Sequence, residues 1–121
     1  MCIRLLLVDD EALVRQGLRM CIAGEPDLAV VGEAKEGAEA IALVAALHPD
    51  VVVMDVRMRG LDGLAATREI LGHSPGTRVV VLSMQDDAQT RAAAREAGAA
   101  AFVGKGEGIG RLLDVIRELA V

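Results

Sequence analysis

The sequence predicts an α/β protein: a doubly wound, three-layer sandwich in which helices cover both faces of a parallel sheet. Three observations carry that reading. Five short apolar runs recur along the 121 residues, and stretches with helical periodicity separate them. Four of the five runs end in, or are soon followed by, a polar side chain able to do chemistry.

The first run, 3–8 (IRLLLV), is a strand ending at Asp9-Asp10. Leu13, Val14, Leu18, Cys21 and Ile22 then form an apolar stripe at helical spacing, and Gly24 and Pro26 end that helix. The second strand is 28–31. Ala38, Ile41, Ala42, Ala45 and Ala46 are read as the buried stripe of the second helix. His48-Pro49-Asp50 leads into the third strand, 51–54, which ends at Asp55. A loop of about seven residues follows before a helix that Asp62 can cap, with Leu64, Ala65, Ile70 and Leu71 as its apolar positions. Strand 79–82 ends at Ser83. The fourth helix, roughly 86–97, is Ala-rich and offers little bulk to pack. Strand 100–103 precedes Lys105, and Ile109, Leu112, Leu113 and Ile116 make the stripe of the last helix.

Most runs are β-branched-rich and apolar at consecutive positions, as expected of parallel strands buried on two faces. Strand–helix alternation implies right-handed crossovers, with the ligand site beyond the carboxyl ends of the strands. The chain is long enough for one ordinary domain, and it is 53% hydrophobic, so a packed core is expected. It has one Phe and neither Trp nor Tyr, which disfavours single-strand nucleic-acid binding by base stacking. A net charge of −5 leaves no global footprint for DNA or RNA. Cys2 and Cys21 lack metal-ligand spacing and read as free thiols. Arg4 interrupts the apolar start of the chain, no run could cross a bilayer, and the expectation is a soluble, cytoplasmic protein with no membrane partner.

A parallel sheet brings Asp9, Asp10, Asp55, Ser83 and Lys105 to one edge. Asp10 or Ser83 alone would pass for a helix cap, and Lys105 alone for a solvated loop residue. Asp55 would not, because a cap belongs immediately before its helix. Three carboxylates within about 5 Å repel by roughly 3 kcal/mol per pair at an effective dielectric of 20. A hard divalent cation relieves that repulsion, and Mg²⁺ suits a couple of carboxylates plus waters while leaving room for a phosphoryl oxygen. Together with a lysine cation and a serine hydroxyl, these are the parts that stabilise a phosphoryl group in transfer. Asp55 is the natural nucleophile.

The motifs LLVDDE (6–11), PDVVVMD (49–55), RMRGLDGL (57–64), VVVLS (79–83) and GAAAFVGK (98–105) span essentially the whole chain. In order and spacing they resemble the receiver (CheY-like) domain of two-component response regulators, whose flavodoxin-like sheet has the order 2-1-3-4-5. The resemblance implies that Asp55 accepts a phosphoryl group from a sensor histidine kinase. It implies that Asp10 binds Mg²⁺ directly, that Asp9 acts largely through water, and that the Arg57 backbone carbonyl completes the metal's ligands. Ser83 would bond the phosphoryl group, Lys105 would pair with it, and Phe102 would swing inward as Ser83 moves. The surface of the fourth helix, fifth strand and fifth helix would then change, with homodimerisation as one outcome. Ser83-Met84, the acidic start of the following helix, and a Lys105 not followed by Pro resemble NarL/FixJ-type regulators. Those carry a LuxR-type helix-turn-helix domain, expected here beyond Val121, through which DNA would be bound. A stand-alone receiver is the other possibility.

Two departures from the family pattern stand out. Arg59 occupies a place where receivers commonly have Pro, which frees the loop and adds positive charge near the site. The bond Lys105–Gly106 is expected to be trans where many receivers have a cis Lys-Pro. Two further readings stay open: a receiver-like scaffold that no longer uses phosphate, and a haloacid-dehalogenase-type phosphatase. The second suffers from Arg57, which stands where that enzyme class usually has its acid/base Asp.

Overall fold

The structure, a computed structural model, describes residues 2–121. The strands are β1 (Ile3–Val8), β2 (Leu28–Ala34), β3 (Val51–Met54), β4 (Arg78–Ser83) and β5 (Ala101–Gly104). The helices are α1 (Ala12–Ala23), α2 (Gly37–Leu47), α3 (Gly63–His73), α4 (Ala88–Glu96) and α5 (Ile109–Leu119), with a 3₁₀ turn at Lys105–Glu107. All strand pairs are parallel, in the order β2-β1-β3-β4-β5. Strand order reverses between β1 and β3, so their carboxyl ends flank the crevice where such folds bind ligands.

Alternation along the strands divides the core. Leu5, Leu7, Val53, Val80 and Leu82 point to one side and pack with Ile22 of α1 and Leu112, Val115 and Ile116 of α5. Leu6, Val8, Val52, Met54, Val79 and Val81 point to the other and pack with α2, α3 and α4. Every strand residue of β3 is buried, as its unbroken apolar run predicts.

The helical faces depart from the sequence reading in three places. In α2, Ala38, Ala42, Ala45 and Ala46 are exposed, whereas Gly37, Ala40 and Val44 are buried and Ile41 is partly so. Nearly every position of that helix is apolar, so periodicity cannot select a face. Bulk does, because burying Val44 and Ile41 removes more apolar surface than burying alanine methyls. In α1, only Ile22 is fully buried; Cys21 is exposed and Leu13 is 81% exposed. In α5, Val115 joins the core while Ile109 lies at the surface. β2 also runs three residues beyond its apolar stretch. Its register against β1 shifts between Leu5 and Leu6, and most of its residues are only half-buried, as suits an edge strand.

The fourth helix is as thinly packed as its composition predicts: Ala94 is its one fully buried residue. No cis peptide bond occurs among the described residues, so Lys105–Gly106 is trans.

Candidate functional site

Asp9 follows β1 and Asp55 follows β3, and both side chains are buried at the sheet's carboxyl edge. Backbone pairing continues past the strands: Asp55 N–H donates to the Val8 carbonyl (2.9 Å), and Asp9 N–H to that of Ala34 (3.0 Å). The sheet itself therefore fixes where these carboxylates stand. Asp10, the least buried of the three, completes the group. One carboxylate oxygen from each of Asp9, Asp10 and Asp55 lies within 4.8 Å of the others.

Lys105, brought in by the turn after β5, supplies the opposing charge. Its Nζ lies 3.1 Å from Asp9 Oδ2 and 3.8 Å from Asp55 Oδ1. Asp9 also accepts from the Glu11 backbone N–H (2.9 Å), and its own carbonyl accepts from Arg15. Asp55 is pushed up from 3.8 to about 6, first by burial and then by the negative charge of Asp9, with Lys105 pulling the other way. The donor set is all hard oxygen, crowded and short of positive charge, and so it fits a divalent cation such as Mg²⁺.

Ser83 is buried at the end of β4, and its Oγ accepts from the Gln85 N–H (3.0 Å). Asp55, Ser83 and Lys105 line one cavity of about 220 Å³, with Arg57 on its wall. A larger cavity, about 580 Å³, lies next to it on the side of the loop after β3. Arg57 reaches this one too, and Asp10 lines it.

The loop from Asp55 to α3 is held by close approach of backbone. A Cβ on Gly63 would lie 1.8 Å from the Asp55 carbonyl oxygen, so no larger residue fits. Gly63 N–H donates to the Val56 carbonyl (2.9 Å), and Asp62 caps α3 by accepting from Leu64 and Ala65 N–H, as the sequence predicts.

Phe102 is half-buried on β5. The Arg91 guanidinium of α4 lies over its ring, 4.6 Å from the centroid. Arg91 also pairs with Asp86 (2.5 Å) and Glu107 (3.3 Å), while Glu107 accepts from the Gly104 N–H (2.7 Å). Sequence reasoning missed Arg91 because its partners come from three separate segments. Its one local signal is Asp86, five residues earlier, off the i,i+4 spacing that marks a helix pair.

All five polar residues expected at the sheet edge are thus brought together, in a parallel five-stranded sheet of CheY-like, flavodoxin-type topology. Comparison with known proteins agrees. Residues 5–117 match the family model for the response regulator receiver domain. The chain belongs to that family. It is 39% identical over 117 residues to the response regulator GacA of Pseudomonas aeruginosa, covering 97% of this chain and 55% of that protein. It is 37% identical over 115 residues to the transcriptional regulatory protein LiaR of Bacillus subtilis, covering 95% and 54%. The chain therefore spans about half the length of these curated relatives. Among solved structures, a LuxR-family two-component response regulator from Aurantimonas sp. SI85-9A1 superposes with a TM-score of 0.95 at 35% identity, covering 99% of this chain and 86% of that one.

Proposed function

We propose that this chain is the phosphoacceptor of a two-component signalling pathway, taking a phosphoryl group from a histidine kinase onto Asp55. The observation that carries the reading is the site's charge arrangement. A buried carboxylate at a strand end lies within 4.8 Å of two others and 3.8 Å from a lysine ammonium. Such an arrangement serves a ligand that brings its own charge.

Asp55 is raised only to about 6, so it is mostly ionised at neutral pH and can act as the nucleophile. A carboxylate oxygen forms the new O–P bond while the bond from phosphorus to the kinase imidazole breaks. Lys105 balances charge on the phosphoryl oxygens, and the Ser83 hydroxyl turns from Gln85 to donate to one of them. Asp9, Asp10, Asp55 and the Arg57 carbonyl would hold Mg²⁺, which when bound neutralises the acidic cluster and supports the phosphoryl charge. Phe102 follows Ser83 inward, and the α4-β5-α5 surface shifts between two states. α4, with one fully buried residue, is the element least anchored against that shift.

The domain takes part in its own phosphorylation and is not a turnover enzyme; the phosphatase reading lacks an Asp at Arg57. The output is transcriptional control, through homodimerisation and a DNA-binding domain outside this chain. LiaR, a transcriptional regulatory protein about twice as long, supports that output. No helix among the described residues is long and apolar enough to cross a membrane, and a cytoplasmic location accords with a kinase partner. The test is intact mass after incubation with Mg²⁺ and a small phosphodonor. Wild type gains one phosphoryl group and Asp55→Asn gains none; equal gain by both proteins, or none by wild type, refutes the proposal.

A further inference from the structure

Arg57, Arg59 and Arg68 line the cavity of about 580 Å³ beside the phosphoacceptor site, with Asp10 and Asp62 on the same walls. Among the described residues, none of these three arginines makes an ion pair. Arg15, Arg19, Arg91, Arg111 and Arg117 each do, and Arg4, Arg78 and Arg95, which also make none, do not line this cavity. Asp62 is engaged in capping α3, which leaves Asp10 as the one uncommitted carboxylate of this cavity.

The cavity is continuous in its lining with the site. Arg57 belongs to both this cavity and the smaller one around Asp55, and Asp10 belongs to both this cavity and the acidic cluster. Asp9, Asp10 and Asp55 with Lys105 sum to a charge of −2, which a bound Mg²⁺ would only cancel, in a chain of net charge −5. A doubly negative phosphodonor therefore finds no net attraction at the acidic cluster itself and approaches a negative chain. Three free guanidinium groups at the adjoining entrance reverse the local field, and their planar forks suit phosphate and carboxylate oxygens.

We propose that Arg59 and Arg68, with Arg57, form an oxyanion-recruiting entrance that speeds phosphorylation of Asp55 by free dianionic phosphodonors of the acyl phosphate class, alongside transfer from the kinase. The inference rests on the phosphoacceptor reading of Asp55. In the step it serves, Asp55 forms the O–P bond, the P–O bond to the acyl group breaks, and the carboxylate leaves with the electron pair. It also gives Arg59 a role in a loop position where receivers commonly carry Pro.

The test compares initial rates of phosphoryl gain with acetyl phosphate and with phosphoramidate, whose protonated nitrogen removes one net negative charge. The double variant Arg59→Ala/Arg68→Ala, with Mg²⁺ at low ionic strength, should lose about tenfold with acetyl phosphate and under about twofold with phosphoramidate. The difference should shrink as salt is raised, and Arg59→Lys/Arg68→Lys should recover most of the rate. Equal losses with both donors, an unchanged acetyl phosphate rate, or a loss indifferent to salt overturns the entrance while leaving Asp55 as acceptor. Failure of wild type with both donors overturns the acceptor reading and the entrance with it.

Discussion

Lys105 Nζ lies 3.1 Å from Asp9 Oδ2, closer than the 3.8 Å that separates it from Asp55 Oδ1. The lysine is therefore docked on the neighbour of the nucleophile and is within a short side-chain movement of a group arriving on Asp55. Lys105→Met should slow phosphoryl gain by about 100- to 1,000-fold, the range for losing one positioned electrostatic stabiliser. It should also raise the Asp55 titration further above 6, since Lys105 now holds it down. Carboxyl NMR of the metal-free proteins checks the second effect, and a downward or absent shift would contradict it.

Asp55 also makes stability depend on pH. Its folded value, about 6, lies above the ordinary 3.8, so the native state binds this proton more tightly than the unfolded chain. The cost of keeping it ionised is fully present above about pH 6 and disappears as pH falls toward 3.8. After allowance for partial solvent screening, Asp55→Asn should stabilise the metal-free protein at pH 7.5 by about 1–2 kcal/mol. Denaturant melts across pH should show that advantage shrinking between pH 6 and pH 4. A constant advantage would assign it to something other than this carboxylate.

Gly63 tests the local architecture. With 1.8 Å between its would-be Cβ and the Asp55 carbonyl oxygen, Gly63→Ala must displace the backbone that carries the nucleophile. A loss of about 2 kcal/mol is expected, in line with overpacking of a close contact, together with slower phosphoryl gain. A neutral result in urea unfolding would mean that the loop tolerates rearrangement.

Arg91 tests the switch. Its guanidinium covers the Phe102 ring from outside while tying Asp86 to Glu107. Arg91→Ala removes the cover, and the population with Phe102 turned inward should rise by about two- to fivefold, the worth of one exposed cation–π contact. Stronger ring contacts to the β4 end in NMR spectra would report this, and an unchanged ring environment would dismiss the role.

These contributions were unequally legible in the sequence. β3 and its terminal Asp55 were plain, because an unbroken apolar run ending in a carboxylate has few other uses. Lys105 was legible from its place just after the last strand, whereas Phe102 entered only through the family resemblance, as the aromatic three residues before Lys105. The buried face of α2 was not legible, since a helix of Gly, Ala, Val, Leu and Ile presents no polar face to set against it. Arg68 and Arg91 were missed for another reason. Each looks like an ordinary helix-surface cation, and only the packing of α3 beside the loop after β3, or of α4 beside β5, gives it a setting.

The central claim is that Asp55 itself carries the phosphoryl group. Acyl phosphates are reduced by borohydride, so the protein can be incubated with Mg²⁺ and acetyl phosphate, reduced, digested and sequenced by mass spectrometry. The account predicts homoserine in place of Asp55 and unmodified Asp9 and Asp10. Homoserine at Asp9 or Asp10, or an unmodified Asp55 in protein that has gained a phosphoryl group, would contradict it.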